Sequence, residues 1–153
     1  MKKEKAEAKL VRCSFHDLPF RDGDDKDHVE EAYDTVISVQ AMHHNNWQGA
    51  EKAFFEGARV LKPGGLFFLR VGSDKSALQG NETIVEDKGL TWTRNEGGHI
   101  ATHHSFSFDE LKELADKNNL EIEPGYVDEN AVGENFITLG EWNIVFRKKM
   151  IEK

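Results

Sequence analysis

The chain reads as an α/β fold in which helices pack on a mostly parallel sheet that ends in an antiparallel C-terminal strand. Three observations predict it. TVISV (35–39) and LFFLRV (66–71) are nearly continuous β-branched or apolar runs, the pattern of strands covered on both faces. Between them lie a helical stripe and the turn Pro63-Gly64-Gly65, which complete one βαβ unit with a right-handed crossover. Near the end, Trp142, Ile144 and Phe146 alternate with Asn143, Val145 and Arg147. That last strand is reached by a loop rather than a helix, so it is expected to run antiparallel.

The elements follow in order. Residues 1–9 form a charged tail, and a single domain is expected over 10–153. Residues 10–15 alternate apolar Val11, Cys13 and Phe15 with Arg12 and Ser14, which predicts a half-buried strand ending before Pro19. Residues 21–31 (RDGDDKDHVEE) form an acidic loop with one helical turn near 29–32. Its Asp24, Asp25 and Asp27 lack the full calcium-loop pattern and read as a solvated charge run. After the 35–39 strand, Ala53, Phe54, Gly57, Ala58 and Leu61 recur at three- and four-residue spacing, drawing one buried stripe on a helix that Pro63 ends. Residues 72–105 are irregular and glycine-punctuated, the profile of a lid-like or substrate-facing insert or of a segment that conceals a short hairpin such as 84–85 with 90–93. Ser107 and Glu110 make a capping box ahead of the stripe Phe108, Leu111, Leu114 and Ala115. Residues 120–122 and 126–127 read as a broken strand.

Composition narrows the function. Twenty basic against twenty-eight acidic residues leave a net charge of -8, the wrong sign for holding a phosphate backbone, so nucleic acid is not an expected partner. The single cysteine, Cys13, excludes an internal disulfide framework and suits a reducing cytoplasm. No stretch approaches the roughly 20 apolar residues that span a bilayer, and Arg12, His16 and Asp17 interrupt any signal-peptide run, so no membrane partner is expected.

HDLPF (16–20), YDTVIS (33–38), AMHH (41–44), RVLKPGG (59–65) and HSFSFDELKELA (104–115), in this order and spacing, resemble the class I, Rossmann-like S-adenosylmethionine-dependent methyltransferases. The resemblance covers nearly everything after residue 9 and implies a partial Rossmann-like sheet, S-adenosylmethionine as cofactor and a small-molecule methyl acceptor. It implies that Ser14 and Phe15 lie at the adenine edge, where the family has an acidic residue and this chain has only a hydroxyl. Ser38, Val39 and Gln40 would pass beneath the methionine part of the cofactor, and His43 and His44 would face the acceptor. Either histidine suits a general base, since imidazole titrates near neutral pH. The family also uses a glycine-rich turn and a ribose-binding carboxylate, and residues 1–9 contain no glycine and cannot hold two strands and two helices.

On that resemblance the sequence is the truncated, C-terminal portion of the fold. The sheet would then have an open apolar edge, to be covered by the 10–15 strand, by a second copy in a homodimer, or by a partner chain. A catalytically incomplete interaction module is the alternative to an enzyme. The seven histidines raise a metal reading as well. Adjacent histidines on an extended segment point to opposite sides, so a site would need members of both His43-His44 and His103-His104, with Glu96 nearby. The plainer reading is loop histidines around an acidic pocket, and no metal ligand is assigned. Trp47, Trp92 and Trp142 are expected in the core or the lid rather than in a stacking platform.

Overall fold

A computed structural model describes residues 10, 12–18, 33–76, 78, 80–85, 87–134 and 137–150. The expected tail over 1–9, the acidic loop over 21–31 and its helical turn lie outside the described residues. The elements are β1 (Tyr33–Val39), α1 (Trp47–Arg59), β2 (Leu61–Gly72), β3 (Thr83–Val85), β4 (Leu90–Glu96), β5 (His99–Ser105), α2 (Phe108–Lys117), β6 (Leu120–Glu134) and β7 (Ile137–Lys148).

The main sheet has the order β1-β2-β7-β6. β1 and β2 are parallel, and β7 is antiparallel to both of its neighbours, so β6 shares the direction of β1 and β2. The sheet is thus mostly parallel in direction, with the C-terminal strand inserted the other way. β6 carries the expected break as a register shift between Ile122 and Val127.

Two helices cover one face. Asn46 caps α1, its side chain accepting the Gly49 amide at 2.9 Å, and Ser107 and Glu110 form the expected capping box on α2. Their apolar stripes meet Phe67, Leu69 and Val71 of β2 and Ile144 and Phe146 of β7 in one core. At its centre the rings of Phe54 and Phe67, and of Phe54 and Phe146, lie 5.2 Å apart. Gly57 permits this approach, because a Cβ there would fall 2.9 Å from Cζ of Phe67.

Three expectations are corrected. The helix ends at Arg59, not at the Pro-Gly-Gly turn. Tyr33 pairs with Leu61 and Thr35 with Leu66, so residues 62–65 are taken into β2 as a bulge, with Gly64 at φ 80°. Residues 12–18 form a turn closed by a Ser14–Asp17 pair rather than a strand, and Leu10 is 96% exposed. The segment does not pair with β1, the edge strand of the main sheet, and an alternating segment that joins no sheet has no face to bury. Finally, β1 has only one covered face: Ile37 is 70% and Val39 56% exposed, and among the described residues no element lies over them.

A second sheet, of order β3-β4-β5, fills the expected lid-like region. Its first hairpin pairs Ile84 with Trp92 and Val85 with Thr91, as the sequence predicts, and β5 extends it. Among the described residues no helix is long and apolar enough to cross a membrane.

Candidate functional site

Open α/β sheets bind ligands beyond the carboxyl ends of their strands. Here β1 ends at Val39, just before Gln40, and β2 at Gly72, and a cavity of about 250 Å³ opens between those ends, the start of β7 and the β3-β4-β5 sheet. Its base is firmly tied. The Phe106 amide donates to the Gly72 carbonyl at 2.9 Å, and the Ser73 amide donates to the Gly140 carbonyl at 2.8 Å. Trp142 adds an indole N–H bond to the Phe106 carbonyl at 2.8 Å.

Gln40 is held in the left-handed region at φ 53°, a conformation that costs a non-glycine residue energy and gathers at functional positions. Its side-chain amide donates to Glu141, which also receives Arg70 Nε at 2.7 Å. Arg70 and Glu141 come together only through the β2–β7 register, so nothing local in the sequence announces them.

Four histidines border the cavity. His43 and His44 sit in a turn, not on an extended segment, and the His44 amide donates to the Ala41 carbonyl at 3.2 Å. Their rings therefore lie on the same side, 4.2 Å apart, which corrects the expectation of opposite directions. On β5 alternation does hold. His103 stacks on Trp92 at 4.2 Å and 12°, with its centroid 4.7 Å from that of His44. His104 turns toward Trp47 and Phe106, and its Nδ1 is 2.9 Å from Thr91 Oγ1. The His104 amide donates to the His43 carbonyl at 2.8 Å, fastening the turn to β5.

The electrostatics favour the neutral form of two of these rings, His43 and His103. Burial, together with the neighbouring His44 and His103, pushes the His43 imidazole down to about 4. Burial and His44 also lower His103, against the opposing pull of Glu96, whose Oε1 lies 3.2 Å from His103 Nε2. Glu96 is itself held below its ordinary value by a hydrogen bond from Arg94. A neutral His43 accepts hydrogen bonds or ligates cations, but a group titrating near 4 is a weak base at neutral pH.

The lid-like sheet is tied to α1 as well. Asp87 accepts the Trp47 amide at 3.0 Å, capping the helix start, and Lys88 Nζ lies 4.1 Å from the centroid of the Trp47 ring.

The structure thus brings Gln40, His43 and His44 to one cavity, with Ser38 and Val39 on the strand leading into it. Ser14 and Phe15 are exposed and do not line it. Their neighbour Leu18 is anchored at the far end of α1, its amide donating to Glu56 at 2.8 Å and its carbonyl accepting from Arg59 at 3.1 Å. Sequence reading missed Trp92, Arg94 and Glu141. The period-2 pattern of β4 and β5 was the one available signal, since it sets Trp92 opposite His103.

Residues 1–69 match the family model described as a methyltransferase domain. No curated protein matches the chain in sequence. Among solved structures, the chain is similar to a Burkholderia thailandensis 1,6-didemethyltoxoflavin-N1-methyltransferase with bound 1,6-didemethyltoxoflavin and S-adenosylhomocysteine (18% identity, TM-score 0.56, 91% of this chain and 50% of that one). It is also similar to a Methanosarcina mazei SAM-dependent methyltransferase (18% identity, TM-score 0.61, 90% and 66%). A third is an S-adenosylmethionine-dependent methyltransferase from Clostridium acetobutylicum (11% identity, TM-score 0.60, 94% and 65%). The chain spans between half and two thirds of the length of these structures.

Proposed function

We propose, from a sequence whose residues 1–69 match a methyltransferase domain and a fold shared with the class I, Rossmann-like methyltransferases, that this chain takes part in S-adenosylmethionine-dependent methyl transfer to a small molecule. The observation that carries this reading is the cavity at the carboxyl ends of β1 and β2, with Gln40 held at positive φ on its edge.

The residues fit one end of the cofactor. A cavity of about 250 Å³ suits a methionine moiety beside a compact acceptor better than a whole nucleoside as well. Ser38, Val39 and Gln40 would run beneath the methionine end, with Gln40 fixed by Glu141 and Arg70. Ser14 and Phe15, outside the cavity, are proposed for the adenine side on resemblance. S-adenosylmethionine, when bound, supplies an electrophilic methyl group, so little is asked of side chains beyond proximity and orientation. Trp92 and the lid-like sheet over 72–105 would exclude water. His44, exposed and beside the cavity, is the better candidate for the acceptor's proton, because His43 is held neutral down to about pH 4.

The bare face of β1 belongs to this reading too. Ile37 and Val39 favour coverage by a second copy or a partner chain over a lifelong solvent-facing role. The test is calorimetric titration of S-adenosylmethionine and S-adenosylhomocysteine into the purified chain. Saturable heat and a rise in melting temperature are expected, and no response at millimolar ligand would overturn cofactor binding by this chain.

A further inference from the structure

We infer that His43, His44 and His103 form a binding site for one divalent transition-metal ion of the zinc type. One ring nitrogen from each lies within 4.8 Å of the other two. Nδ1 of His43 is buried without a hydrogen-bond partner, and Nε2 of His103, also buried, has the Glu96 carboxylate 3.2 Å away. Buried polar atoms are almost always paired, so an orphaned His43 nitrogen in a cluster with two further imidazoles calls for a ligand that accepts lone pairs. His103 is only 3% exposed, so water is not a ready substitute.

The chain brings these donors together from separate elements. His43 and His44 share a turn, and His103 is fixed on β5 by its stack on Trp92 and by the bond from His104 to the His43 carbonyl. Tetrahedral zinc with bonds of about 2.0–2.1 Å needs its nitrogens about 3.4 Å apart. Closing from 4.8 Å asks for a ring rotation in the 43–44 turn rather than a shift of the sheet. Neutral imidazoles are the required form, and neutral rings suit zinc, nickel, copper or iron rather than magnesium or calcium. Glu96, 3.2 Å from His103 Nε2, stands where its carboxylate can take a fourth position. Three histidines leave a coordination position facing the cavity, the arrangement of an open rather than a purely structural site. The metal would engage the same His44 that is proposed above as the acceptor's base. Metal titration without cofactor and cofactor titration without metal read the two out separately, so either can fail alone.

The test uses the full chain produced without a polyhistidine tag and stripped with a chelator. Titration with Co²⁺ should give one equivalent with a visible absorption band that Zn²⁺ bleaches, and calorimetry with Zn²⁺ should give the same stoichiometry. His44→Gln, at an exposed side chain, and His103→Gln should each weaken binding by more than the roughly 10–100-fold that loss of an outer-shell partner causes. His99→Gln, exposed on the same strand as His103, should bind like the parent. Absence of stoichiometric binding, or binding that survives both His44→Gln and His103→Gln with unchanged circular dichroism, would overturn the site.

Discussion

Phe67 and Phe68 are adjacent on β2 and occupy different worlds. Phe67 points into the helix-covered face and is fully buried against Phe54, Gly57 and Phe146. Phe68 points to the other face, 37% exposed, beside its strand partner Ile37. An apolar run therefore encodes a strand and the need for cover on two sides. Which side finds a partner is settled by the rest of the fold.

The largest effects should fall on the covered face. Phe67→Ala should cost about 3–5 kcal/mol in urea unfolding, the sum of lost transfer energy and a cavity between α1 and the sheet. Phe68→Ala should cost under about 1.5 kcal/mol, since much of its surface is already in water. Equal losses at the two positions would mean that the second face is buried in solution by another copy of the chain. Gly57→Ala should cost about 1–3 kcal/mol by pushing a methyl into the Phe67 ring. Ser107→Ala, removing the α2 cap, should cost about 1 kcal/mol.

Acid sharpens the same contrast at the start of α2. Burial works to raise the Glu110 carboxyl, but hydrogen bonds from the His104 ring and from Ser107 outweigh it and hold the group below its ordinary 4.5. Its contribution is therefore complete above pH 4.5 and is lost as pH falls below that value. Unfolding midpoints measured from pH 7 to 3 should decline in that window, and Glu110→Gln should flatten the decline. The smallest effect should come from the bare face: Ile37→Lys should change monomer stability by about 0.5 kcal/mol or less. Sedimentation velocity of Ile37→Lys against the parent then tells whether that face associates.

Much of the fold was legible because it is locally encoded. The α2 capping box, the βαβ order, the 84–93 hairpin and the antiparallel final strand all follow from short-range pattern. What escaped was relational. The 10–15 alternation closed on itself in a turn instead of joining the sheet, and Pro63-Gly64-Gly65 was drawn into a bulge by the Tyr33–Leu61 pairing. At the site, His43 and His44 were visible as residues, but the turn that sets their rings side by side was not. Gln40 came from resemblance, while the clamp that fixes it joins residues 40, 70 and 141 across the sheet.

The central claim is that the carboxyl ends of β1 and β2 receive the methionine end of the cofactor. Amide shifts of the isotopically labelled chain, followed while S-adenosylhomocysteine is added, test it most directly. The account predicts shifts that concentrate on Ser38, Val39, Gln40, His43 and Gly72, around one cavity. An unchanged spectrum at millimolar ligand, or shifts confined to other surfaces, would contradict it.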